Sequence, residues 1–152
     1  MTPTIRMTWL EGADTSLPLP SYETEGAAGA DLRANFPDRA PIALAPMERR
    51  MIPTGLAVEI PQGFEMQIRP RSGAALKQGL SLPNTPGTID SDYRGPLGVI
   101  VINLGSEHLV IAHGDRIAQA VVAPVVQARF EIAEALSDTE RGQGGFGSTG
   151  RG

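Results

Sequence analysis

Residues 82–103 read LPNTPGTIDSDYRGPLGVIVIN, and the fold of the chain turns on how that stretch is paired. Pro83, Asn84, Pro86 and Gly87 open it, Ile89 and Tyr93 lie on an extended piece, and Arg94-Gly95-Pro96 marks a turn. The return along Val99, Ile100, Val101 and Ile102 is β-branched, which predicts a β-hairpin with a buried return strand and an outgoing strand that carries the polar residues. Asp90 has a rigid scaffold beneath it and solvent within reach, the setting of a catalytic base. The same sequence also fits plain turn formation, with Asp90, Ser91 and Asp92 bonding their own backbone. On this segment alone both readings stand.

Working outward, the composition restricts the rest. The 152 residues suffice for one domain with a hydrophobic core, and 18 Gly with 13 Pro favour many turns and short strands over long helices. An all-β architecture is the expectation, of the jelly-roll or sandwich kind. A net charge of -4 and a pI near 5.1 argue against a partner that is nucleic acid or an anionic membrane, since counterion release needs a basic face. With no cysteine, disulfide scaffolds, thiol nucleophiles and Cys-ligated zinc are excluded together. The opening residues lack the pattern of a signal peptide and no apolar run is long enough to span a bilayer, so a cytoplasmic location is expected.

Upstream, residues 4–10, 42–44, 51–60 and 64–70 have strand character, the third interrupted by Pro53-Thr54-Gly55. The last runs into Arg71-Ser72-Gly73 and a cluster of helix formers, Ala74 to Lys77. A strand that opens a short helix leaves backbone N–H groups for an anion, with Arg71 and the Ser72 hydroxyl beside them. Ser72 as an ordinary N-cap explains the helix equally well. Small residues at 26–30 precede Asp31, which is either solvated or functional.

Downstream, residues 108–112 and 117–126 predict two more strands, the second apolar except for Gln119, whose amide needs a partner. His108 and His113 read as surface or strand-end residues. Phe130, Ile132, Ala135 and Leu136 are candidates to close a last strand or a short turn. From 139 to 152 almost nothing can pack, which gives a domain over 1–138 and a flexible Gly-rich tail. The tail nevertheless holds Arg141, Phe146 and the Ser148-Thr149 pair, enough to close over a phosphorylated ligand.

Five islands, in order, carry a family resemblance: AGADLRA at 28–34, RPRSGAALK at 69–77, LPNTPGTIDSDYRG at 82–95, GDRIAQAVVAP at 114–124 and RGQGGFGSTG at 141–150. Together they resemble the five motifs of the trimeric dUTPases. The resemblance implies a jelly-roll subunit and a homotrimer with active sites shared between chains. It also implies hydrolysis of dUTP to dUMP and pyrophosphate with Mg2+ on the triphosphate, which limits uracil in DNA and supplies dUMP for dTMP synthesis.

Position by position, the resemblance makes Asp90 the base for in-line water attack at the α-phosphorus. It sets Asn84 and the backbone of Gly87, Thr88 and Ile89 on uracil, and Tyr93 on the deoxyribose. Arg71, Ser72, Gly73 and Gln119 would hold phosphates, and Asp31 would act through water on the magnesium shell. From the tail, Arg141, Gly147, Ser148 and Thr149 would grip phosphates while Phe146 stacks on the base. Gly98 departs from the pattern, because many relatives carry a longer side chain there; any contact it makes is main-chain. Two rival readings are a dCTP deaminase, close in fold and nucleotide class, and a non-catalytic trimeric scaffold with an RGG-like tail.

Overall fold

A computed structural model describes residues 2–150 of the chain. Ten strands and one short helix follow in order: β1 (Arg6–Trp9), β2 (Ala30–Arg33), β3 (Ile42–Leu44), β4 (Arg49–Glu59), β5 (Phe64–Arg69), α1 (Ser72–Gln78), β6 (Leu80–Ser81), β7 (Gly87–Ile89), β8 (Pro96–Asn103), β9 (Leu109–Ile111) and β10 (Arg116–Pro124). They form two four-stranded sheets, β1-β4-β8-β6 and β2-β10-β5-β7, with β3 and β9 pairing apart. Every ladder is antiparallel. The expected all-β jelly-roll-like sandwich is what the chain forms.

One core fills the space between the sheets. Along β8, Leu97, Val99, Val101 and Asn103 are buried while Gly98, Ile100 and Ile102 face outward, the period of two that a strand with one buried face requires. They meet Leu32 of β2, Ile52 and Val58 of β4, Met66 and Ile68 of β5 and Ala120 of β10. Burying a side chain of this size contributes about 1.5–3 kcal/mol. The one amide among them, Asn103, is fully used: Nδ2 donates to the Leu44 and Glu107 carbonyls at 2.9 and 2.8 Å, and Oδ1 accepts from Gly105 N at 2.9 Å.

The central stretch departs from the hairpin expectation. β7 pairs with β5 and β8 pairs with β4 and β6, so the two strands lie in different sheets. A tight turn does form, with Tyr93 N donating to the Asp90 carbonyl at 3.2 Å, a few residues before Arg94-Gly95-Pro96. The reason is burial. Gly87 sits on Ile68 and Leu97 and Val99 enter the core from the opposite sheet, so each arm finds its apolar partner across the sandwich rather than in the other arm. The return strand is also buried only at alternate positions, with Ile100 37% exposed.

The interruption expected at Pro53-Thr54-Gly55 is a bulge inside a continuous β4, where the register moves from Pro53↔Gly98 to Ala57↔Pro96, four residues against two, while two other expectations change. Gly55 takes φ +72, and a Cβ there would stand 2.9 Å from both the Ala13 and Asn35 side chains, while the Thr54 hydroxyl donates to the Leu97 carbonyl at 2.6 Å across the bulge. Ser72 is the first helical residue, not the cap, which is Arg71 with no side-chain capping bond. Phe130, Ile132, Ala135 and Leu136 close no strand: regular pairing stops at Pro124, and the three large side chains among them are at least nine-tenths exposed.

Candidate active site

The strand exchange between sheets creates the site. Beyond Ile102 toward its start, β8 has no ladder partner on the β6 side, and β7 belongs to the other sheet, so a pocket of about 220 Å³ opens between them. Gly87, Thr88 and Ile89 run along it, with Asn84, Tyr93 and Gly98 also on its wall. Gly87 is buried and close-packed: a Cβ on it would stand 3.3 Å from both Asn84 Nδ2 and Ile68 Cβ. The loop before it is held by the Thr85 hydroxyl, which donates to the Leu82 carbonyl at 2.5 Å. Tyr93 is fixed by its hydroxyl, which donates to the Pro96 carbonyl at 2.8 Å, and its ring lies over Gly95, where any Cβ would collide with it.

Asp90 stands on the ridge of this pocket. It is exposed, and among the described residues its carboxylate takes part in no side-chain hydrogen bond or ion pair. A larger polar groove of about 730 Å³, bordered by Glu65, Asp92 and Arg94, lies on its other side. An unengaged carboxylate in reach of water at the edge of a pocket is placed to take a proton.

A second cluster forms around Asp31, which is 6% exposed. Strand register explains it: Asp31 of β2 lies opposite Gln119 of β10, and Gln119 lies opposite Arg69 of β5, two residues before Arg71. Arg71 Nε is 3.4 Å from Asp31 Oδ1, an ion pair without a well-directed hydrogen bond. Arg116 Nη1 is 3.3 Å from Oδ2, and Gln119 Nε2 donates to Oδ1 at 3.5 Å. Gln119 therefore finds its partner in a carboxylate, and Gly29 is the residue that admits it, since a Cβ there would meet the Gln119 side chain at 2.9 Å. Ser72 and Gly73 are exposed at the start of α1 beside Arg71, the Ser72 hydroxyl making no capping bond.

The two clusters do not meet within the chain. Asp90 falls three strands from β2 and about four residues along β5 from the Arg69 row, a backbone separation on the order of 20 Å at ordinary strand spacings. The candidate residues of the tail stay apart from both. Thr139 to Gly150 hydrogen-bond only among themselves in the described residues, with Arg141 Nε donating to the Gly144 carbonyl at 2.6 Å and Phe146 fully exposed.

Sequence reading missed three groups. Arg116 lies in a quoted island but only the fold shows that it shares Asp31 with Arg71. Met51 lines the pocket from β4, far from any island. His113, read as a surface or strand-end residue, receives the Phe36 N–H on Nδ1 at 3.0 Å, so its own proton is on Nε2 and goes to Asp14 Oδ2 at 2.8 Å. Asp14 and His113 lie 99 positions apart, beyond the reach of any local pattern.

Comparison with known proteins follows the same lines. The dUTPase family model matches residues 15–150. The deoxyuridine 5'-triphosphate nucleotidohydrolase of Roseobacter denitrificans is 64% identical over 146 residues, 96% of this chain and 95% of that protein. That of Dinoroseobacter shibae is 65% identical over 143 residues, 92% of each chain. Among solved structures, the dUTPase G164S mutant of Staphylococcus bacteriophage 80alpha with dUpNHpp superposes with a TM-score of 0.83 at 26% identity, covering 98% of this chain and 99% of that one.

Fold, site and relatives together define an all-β nucleotidohydrolase. The chain belongs to the dUTPase family.

Proposed function

We propose that this chain hydrolyses dUTP to dUMP and pyrophosphate, with the pocket between β7 and β8 as the nucleoside site and Asp90 as the base. The observation that carries the reading is the exposed carboxylate of Asp90, without a side-chain partner among the described residues, at the rim of a pocket lined by residues 87–89. Uracil presents acceptor, donor, acceptor, which backbone N–H and C=O groups and the Asn84 amide match without charge. Cytosine would leave those groups mispaired, and a 5-methyl would press on rigid backbone. Tyr93, held by its bond to Pro96, packs on the deoxyribose and excludes a 2′-hydroxyl.

In the reaction, Asp90 takes a proton as the water oxygen bonds to the α-phosphorus, and the α–β bridging oxygen leaves with its electron pair on pyrophosphate. Arg71, Ser72, Gly73 and Gln119 hold the phosphates, as does Arg141 with the Gly147-Ser148-Thr149 segment, while Phe146 covers the base. Because the two clusters lie apart in one chain, a complete site takes Asp90 from one subunit and Arg71 from another, within a homotrimer.

The residues fit a magnesium ion that arrives with the substrate. Among the described residues no three His, Asp or Glu converge as a cage, and Asp31, already between two guanidinium groups, suits contact through water. Magnesium bound to the triphosphate neutralises its charge.

The test is to supply dUTP or dCTP with magnesium and measure pyrophosphate and ammonia, using the wild type and Asp90→Asn. Pyrophosphate from dUTP alone is expected, with Asp90→Asn still binding a dUTP analogue but losing turnover by roughly 10²-fold or more. Ammonia from dCTP would indicate a deaminase and no product a scaffold; substantial turnover in Asp90→Asn would remove that residue from its role.

A further inference from the structure

Gly98 leaves the pocket without a side chain at a position that faces it, and the structure fills the gap from another strand. Met51 of β4 lies opposite Ile100 of β8 and diagonal to Gly98, on the outer face of its sheet. Its side chain crosses over Gly98 so closely that a Cβ on that glycine would stand 2.7 Å from Sδ and 2.9 Å from Cγ. It thereby reaches the pocket that Asn84, Gly87 and Tyr93 border. Met51 is nevertheless 66% exposed, so this apolar, flexible arm has water where a ligand would give it a partner. A thioether adapts its shape and packs well on flat ring faces and sugar carbons.

We propose that Met51 is a substrate-binding residue that supplies the apolar wall Gly98 lacks, and that the missing Cβ of Gly98 is what lets it reach. The inference rests on the pocket being the nucleoside site. Met51 makes no bond to the reacting atoms, so it acts on binding and not on the chemical step.

Two measurements test it. In the first, wild type is oxidised with hydrogen peroxide with and without an α,β-imido dUTP analogue, and each methionine is followed by mass spectrometry. Met47, 67% exposed, is the matched control. The analogue should slow sulfoxide formation at Met51 and leave Met47 unchanged. In the second, Met51→Ala should raise KM for dUTP about tenfold with kcat within about twofold, and Met51→Leu should restore most of it. Gly98→Ala, which pushes Met51 aside, should raise KM on the wild-type background and much less on the Met51→Ala background. Equal oxidation of Met51 with and without analogue, or an unchanged KM in Met51→Ala, overturns the proposal. A wild-type chain that fails to turn over dUTP would instead overturn the assignment of the pocket on which it rests.

Discussion

Asp14 shows how one side chain can tie down a loop that has no regular structure. Its carboxylate accepts from the Ser16 hydroxyl at 2.5 Å, from His113 Nε2 at 2.8 Å and from the Ser16 backbone N–H at 3.0 Å. These bonds, the Ser16 hydroxyl first and His113 next, hold its pKa well below the ordinary carboxylate range. The sign follows from linkage: a carboxyl whose folded pKa is depressed adds stability above the unfolded value of about 3.9 and loses it as pH falls further. Wild type should therefore melt higher than Asp14→Asn at pH 6, and the gap should begin to narrow below about pH 4 and go on narrowing as the pH falls toward the depressed folded pKa, read by thermal denaturation. A gap that stays constant over that range would show that the bonds do not depend on the charge. Nothing in the sequence pairs Asp14 with His113. Asp90 and Asp31 were legible because each sits within a recognisable island, whereas Arg116 and Met51 act through neighbours that only packing supplies.

At the scale of elements, the β7–β8 connection and the tail are the two segments on which the proposed function depends. Local composition in residues 82–103 correctly signals two strands and a turn, but cannot say whether the strands pair with one another. That choice was made by Ile68 and by the β4 ladder, which offered each arm a better-buried partner. The pocket is the gap left by the choice. The tail lies at the opposite extreme, since its hydrogen bonds among the described residues are internal and its one ring is bare. Removing residues 139–152 should therefore leave the melting temperature within a degree or two while lowering kcat/KM for dUTP by roughly 10²-fold, because orientation over the substrate is lost. Circular dichroism and a turnover assay on the truncated chain check both halves. Loss of folding would make the tail structural, and full activity would end its role as a lid.

For the whole molecule, the chain carries two polar clusters that it does not itself unite. The Asp31–Arg71–Gln119 cluster and the Asp90 pocket occupy different parts of one sheet and its edge, with no bond between them among the described residues. If symmetric assembly completes the site, two inactive variants must rescue one another. Asp90→Asn and Arg71→Ala chains, unfolded together and refolded as a mixture, should regain activity at about a quarter of their sites, since each site needs one intact contribution from each kind of chain. Sedimentation of the mixture should show a single trimeric species. A mixture as inactive as its parents would place both residues in one chain's site.

The order of the five islands, the richness in turns and short strands and the lack of cysteine were decided by the amino-acid sequence, because pattern, turn chemistry and side-chain reactivity are local properties. Which strands pair, that Pro53-Thr54-Gly55 is a bulge, and that Gly98 makes room for Met51 were decided only by the tertiary structure. Those outcomes depend on which surfaces bury each other best across the core, a competition among segments up to tens of residues apart that no window of sequence contains.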